Sequence, residues 1–327
     1  MISVFRQSPR YVLLTATVLF FSACDYSDEE VLNNVETFSG EYTPPALNVK
    51  PGVTVYDNQE VTAGGSLNLV WSDEFDGDAL ELNTWFIQTG DGTAFDLPAG
   101  WGNNELQYYQ AGNVTVAGGV LRIEAREESV SGYGYTSARI TTQDLVAFRY
   151  GRIEARMKLP GGQGIWPAFW MLSQDSRYGG WPNAGEIDIM EAINLDVLGK
   201  NAVFGTIHYG GIADFPNNWF FTGNNTTVGS EADGDLPTDV FHNYAIEWDA
   251  DEIRWYVDDV LYATQNSWWS DTAATDPGAA YPAPFNQAFH ILLNVAVGGN
   301  LPGPPDASTV FPATMEVDWV RVYEGGP

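Results

Sequence analysis

The chain has 327 residues and a formal net charge of −29, from 14 Lys and Arg against 43 Asp and Glu. That balance argues against a nucleic-acid partner, because phosphate binding needs clustered Lys and Arg, and it favours a neutral ligand over an anionic one. With 44% hydrophobic residues the chain can bury a sizeable core in one large or two small domains, and 14% aromatics with 34 Gly and 17% charged residues suit a β-rich, carbohydrate-binding protein.

At the start, Arg6 and Arg10 precede an apolar run from Tyr11 to Phe21, and Ser22 and Ala23 lead into Cys24, the one cysteine. A basic region, a short apolar core and small residues make a secretory signal, and the run is short for a membrane span. Phe21-Ser22-Ala23-Cys24 resembles a bacterial lipoprotein signal, in which the cysteine becomes the lipidated first residue, although Phe21 stands where Leu is usual. Residues 1–24 are therefore expected to export the chain, to the cell envelope as a Cys24 lipoprotein or as a secreted protein. A single cysteine leaves no intrachain disulfide.

Residues 25–65 read as a tether. Asp25, Asp28, Glu29 and Glu30 open it, Pro44-Pro45 and Pro51 follow, and Gly64-Gly65 closes it, with few apolar residues for a core. Part of it could add an extra strand to the domain that follows, expected over residues 66–327.

From Ser66 onward, short strands alternate with turns. Leu121–Arg126 alternates apolar and polar residues, and Arg152–Leu159 does so without a break before Pro160 stops it. Glu252–Val257 and Val260–Tyr262 flank Asp258-Asp259, a hairpin signal, and Glu316–Tyr323 is a terminal strand. No long helical periodicity and no internal repeat is present. Many short strands over one long region predict an all-β fold, an antiparallel β-sandwich.

One strand is unusual. Glu186-Ile187-Asp188-Ile189-Met190-Glu191 interleaves three carboxylates with apolar residues. Successive strand side chains point to opposite faces, so Glu186 and Asp188 share one face. Strict alternation would place Met190 beside them. A β-bulge at Ile189-Met190 returns Glu191 to the acidic face, and bulges are over-represented next to active sites. Crowded carboxylates repel, so at least one pKa must rise. Glycoside hydrolysis uses such a pair, one acid and one anion, with about 5–5.5 Å between carboxyls in retaining enzymes. The residues alone leave a calcium-holding or merely solvated acidic strand as the alternative.

Context favours the first reading. Ordered stretches, Trp101–Tyr109, Gly164–Leu172, Gly185–Glu191, Gly205–Gly210, Tyr244–Trp248, Asn294–Asn300 and Val317–Tyr323, resemble glycoside hydrolase family 16, and within it the laminarinase-like endo-1,3-β-glucanases. The resemblance covers about residues 66 to 325 and implies a jelly-roll, concanavalin A-like sandwich with a concave glycan cleft. It implies Glu186 as nucleophile, Glu191 as general acid/base and Asp188 as the residue that positions the nucleophile. It implies Asn104, Arg152, Trp166, Trp170, His208 and Trp268 as substrate contacts, with the two strand tryptophans as sugar platforms. The extra Met190 matches members that act on laminarin, agarose or carrageenan and departs from lichenases and xyloglucan transglycosylases. The expected partner is a β-glucan polysaccharide, cleaved by a monomeric enzyme. Mixed-linkage glucan or a galactan such as agarose is the alternative substrate, and a non-catalytic β-glucan-binding lectin the alternative class. The three histidines lack zinc-like spacing, so no catalytic metal is expected, and the resemblance implies no cofactor for catalysis. The resemblance also implies a structural calcium held by Glu74, the Gly119 carbonyl and Asp318, hard oxygen ligands that suit this ion.

Overall fold

The computed structural model of the protein describes residues 45–47, 49–197, 201–210, 221–228, 236–270 and 280–326, with the backbone alone for 221–228. The signal segment 1–24 with Cys24, and the first part of the tether, lie outside the described residues. Among those described, no helix is long and apolar enough to cross a membrane.

Two sheets form the domain. A nine-stranded sheet runs, in spatial order, Thr54–Asp57, Val146–Arg149, Phe289–Val297, Ile165–Ser173, Glu186–Ala192, Val203–Gly210 and Phe221–Val228, with Arg139–Thr141 attached to its Phe289–Val297 strand and Phe86–Gln88 paired with Arg139–Thr141. A ten-stranded sheet has Val260–Gln265, Ile253–Val257, His242–Trp248, Gly151–Lys158, Ala313–Gly325, Leu121–Val130, Tyr133–Ser137 and Gln107–Tyr109 in order, joined by Leu67–Asp73 and Val114–Val116.

Alternation builds the core between them. Ile153, Ala155 and Met157 are fully buried from one sheet, and Phe169, Met171, Ile187, Ile207, Ile291 and Leu293 from the other. Aromatic pairs stitch the layers: Trp248 meets Phe289 at 5.3 Å between ring centroids, and Trp71 meets Phe148 at 5.2 Å, both edge-on. The hairpin signal at Asp258-Asp259 is a two-residue turn with φ of 48° and 62°, the left-handed geometry that matches strand twist.

One detail differs from the sequence reading. The sandwich is mainly antiparallel, but Thr54–Asp57 pairs parallel with Val146–Arg149, and Gln107–Tyr109 parallel with Tyr133–Ser137. Part of the 25–65 segment adds a strand to the domain, as its sequence allows: Arg149 holds Asp57 through two bonds of 2.7 and 2.6 Å and the Pro45 carbonyl at 2.7 Å.

Candidate active site

Glu186, Asp188 and Glu191 stand on the face of the nine-stranded sheet turned away from the core. Pairing fixes their neighbours. Glu186 lies between Leu172 and His208, Asp188 between Trp170 and Thr206, and Glu191 between Ala168 and Phe204. Both ladders slip by one residue here. Met190 pairs with Phe169 and Asp188 with Trp170, which leaves Ile189 without a partner on that side, and Gly205 alone faces Ile189 and Met190 on the other. This is the bulge that the sequence pattern asks for. Ile189 and Met190 are buried beneath it, and Glu191 regains the outer face.

Each outer glutamate accepts one indole hydrogen bond. Trp166 Nε1 donates to Glu191 Oε1 at 2.9 Å, and Trp181 Nε1 to Glu186 Oε2 at 2.8 Å. Burial and the neighbouring Glu186 charge push the Glu191 carboxyl up to about 7, against the opposing pull of the Trp166 bond. Asp188 is buried, and burial together with Glu186 and Glu191 raises its pKa well above the usual carboxylate range. His208 Nε2 lies 3.4 Å from Asp188 Oδ2 and 3.8 Å from Glu186 Oε1, as an ion-pair contact rather than an aligned hydrogen bond. Burial alone would lower the imidazole pKa, but Asp188, Glu186 and Glu191 outweigh it and lift the value to about 10. The cluster therefore holds protons more tightly than its members would in water.

Glu186, Asp188 and His208 also present atoms within 4.8 Å of one another, as metal ligands would. Metal binding there would have to displace the His208 proton.

Trp166 and Trp170 share the outer face, four residues apart on Ile165–Ser173, and both are half-buried. Trp170 Nε1 donates to Asn294 Oδ1 at 2.8 Å, and the Arg139 guanidinium lies 4.7 Å from its ring and 4.6 Å from that of Trp101. Behind this stack, Glu105 accepts from Gln107 Nε2 at 2.6 Å and from the Tyr109 hydroxyl at 3.2 Å. Asn104 is exposed on the same loop, where its amide donates to Asn300 at 2.8 Å, and a Cβ added to Gly299 would lie 3.4 Å from the Trp166 ring. The Asn104 loop thus borders the Trp166 end of the face. Trp181 and Arg139 escaped the sequence reading. Trp181 stands five residues before Glu186 in a loop, with no periodicity to mark it, while Arg139 reaches the site only through sheet pairing.

Arg152 and Trp268 do not join the cluster. Arg152 belongs to the ten-stranded sheet, where it pairs with Glu154 at 3.1 Å, Glu247 at 3.4 Å and Asp259 at 2.6 Å. It neutralises buried Glu154 and Glu247, and exposed Asp259, on the opposite side of the sandwich. Trp268 is 4% exposed, donates to the Pro282 carbonyl at 2.9 Å and packs on Tyr281 and Phe285, so its ring is core.

Of the positions implied for calcium, Glu74 and Asp318 lie by the terminal strand, where Arg321 grips both oxygens of Glu74 at 2.9 and 2.8 Å and Arg156 holds Asp318 Oδ2 at 2.6 Å.

The family model "Glycosyl hydrolases family 16" matches residues 101–321. The chain is 40% identical to glucan endo-1,3-beta-glucosidase A1 of Niallia circulans over 84% of its own length and 41% of that protein's. It is 39% identical to the beta-glucanase of Rhodothermus marinus, over 85% of this chain and 92% of that one. The laminarinase catalytic domain of Thermotoga maritima MSB8 superposes with a TM-score of 0.67 at 42% identity, over 80% of this chain and 99% of that structure. The chain thus spans less than half of the Niallia protein, and the shared part is the sandwich that carries the acid strand. With seven ordered motifs, the jelly-roll sheets and a family match across most of the domain, this chain belongs to glycoside hydrolase family 16.

Proposed function

We propose that this chain is a retaining endo-β-1,3-glucanase acting on laminarin-type glucans. One observation carries the reading: two glutamates rise from the same face of one bulged strand, and the one that has to give a proton holds it to about pH 7. Glu191 donates that proton to the glycosidic oxygen as the Glu186 carboxylate attacks the anomeric carbon, so the sugar–oxygen bond breaks and a glycosyl ester forms. The ester removes the Glu186 charge, which had helped to raise the Glu191 pKa. Glu191, now an anion, takes a proton from water, whose oxygen attacks the anomeric carbon and releases Glu186. Two inversions leave the β configuration intact. Asp188 and His208 hold the proton and charge balance around Glu186, and Trp181 fixes its second oxygen. Trp166 offers its ring to a sugar face while its N–H orients Glu191. Catalysis needs no cofactor.

The preference for β-1,3-glucan rests on the named activities of the relatives. Export with a lipid on Cys24, proposed from the leader sequence alone, would place the enzyme where polymeric substrate is met; palmitate labelling that survives Cys24→Ser would end that part.

The test is proton NMR of the first products from laminarin, with Glu186→Ala and Glu191→Ala in parallel. Retained β-anomer, and loss of at least about 10³-fold in kcat for each variant, is expected. An initial α-anomer would remove Glu186 as nucleophile, and tight laminarin binding without cleavage would leave a lectin.

A further inference from the structure

We propose that Trp255 is a positioning residue for the reaction, holding the catalytic bulge from the opposite sheet. Trp255 lies on Ile253–Val257 of the ten-stranded sheet, buried and pointing into the sandwich. Its Nε1 crosses the core and donates to the carbonyl of Asp188 at 2.9 Å. That carbonyl belongs to the last residue in register before both ladders slip. A bulge interrupts the ladder and bends its strand, and a buried carbonyl at such a point needs a donor. The indole supplies one from a side chain fixed by a second sheet, so the start of the bulge is tied to a frame outside its own sheet.

Gly205 shows that space is reserved for this contact. It is the single residue facing Ile189 and Met190. A Cβ there would lie 2.6 Å from Trp255 Nε1 and 2.7 Å from the Tyr262 hydroxyl, closer than real contacts allow. The indole edge thus sits directly beneath the bulge, in room that only glycine leaves. The bulge returns Glu191 to the face of Glu186, and the closeness of those two groups helps to raise the Glu191 pKa. Loosening the peptide after Asp188 would let Glu191 drift from Glu186, misplace the proton donor and lower that pKa. Trp255 touches no reacting atom; it acts through the Asp188 peptide.

This inference rests on Glu191 as acid/base. The experiment compares Trp255→Phe with Trp248→Phe, which loses an equivalent core bond, from Trp248 Nε1 to the Phe285 carbonyl at 3.1 Å, away from the acid strand. Laminarin hydrolysis is followed across pH. For Trp255→Phe, kcat is expected to fall by about 10- to 100-fold with KM changed less than about twofold, and the basic limb of the profile to move to lower pH. Trp248→Phe should leave the limb in place. If Trp255→Phe does not fold, 3-benzothienylalanine at position 255 keeps the bicyclic shape and lacks only the N–H, and the same result is expected. A wild-type kcat and limb, or a loss matched by Trp248→Phe with no movement of the limb, overturns the inference. A wild type that does not cut laminarin would instead overturn the proposed function, so the two failures are distinct.

Discussion

Trp166→Phe removes one hydrogen bond from the proposed proton donor, Glu191. Trp166 Nε1 donates to Glu191 Oε1 at 2.9 Å, and this bond favours the ionised carboxylate. Hydrogen bonds to charged groups contribute about 1.5–3 kcal/mol. The pair is half-buried at the surface of the sheet, which argues for the lower end, and about 1.4 kcal/mol equals one pH unit. Glu191, held at about 7 in the native protein, should therefore keep its proton to about one unit higher in the variant. The assay is kcat/KM on laminarin against pH, whose limbs report groups of the free enzyme. Loss of the indole also removes stacking area and lowers the whole curve, but that does not shift the position of its basic limb. Trp170→Phe is the control, because its N–H serves Asn294 instead of a carboxylate of the acid strand. A Trp166→Phe limb that stays put or moves to lower pH would refute the reasoning.

Glu186→Gln removes the charge that helps to raise Glu191, so carboxyl NMR titration of the inactive variant should find Glu191 below about 7; an unchanged value would mean that burial acts alone. His208 has its pKa raised from 6.5 to about 10 in the folded state, so its stabilising contribution is complete below 6.5 and lost as pH rises towards 10. The melting-temperature gap between wild type and His208→Gln should accordingly be widest near about pH 6 and close with rising pH, and a gap that widens would reverse the assigned sign. Arg152→Ala strips the partner from buried Glu154 and leaves buried Glu247 with Arg254 and the Tyr256 hydroxyl. Breaking such a pair costs about 3–5 kcal/mol, so thermal unfolding should come earlier while KM for laminarin is unchanged; a raised KM would return Arg152 to the cleft.

How much of this was legible depended on the range of the interaction. Alternation marked the strands at Arg152–Leu159 and Glu316–Tyr323, and Asp258-Asp259 marked its hairpin, because a period of two residues and a tight turn are local properties. The placement of three acids in six residues dictated both the shared face and the extra residue needed to keep Glu191 there. By contrast, Arg152 had the right residue type and a perfect strand around it, yet alternation says only that its side chain leaves one face, never which sheet that face belongs to. Trp268 likewise carried a platform-forming ring that the Tyr281 and Phe285 contacts closed off from solvent.

The sequence by itself determined the chemistry of the acid strand and the class of fold, since side-chain identity and strand period act within a few residues. Tertiary structure alone decided which groups tune that chemistry: Trp166 on Glu191, Trp181 on Glu186, His208 beside Asp188, and Trp255 under the bulge. Those contacts depend on sheet order and register, in which strands distant in the chain become neighbours, and no local pattern encodes the choice.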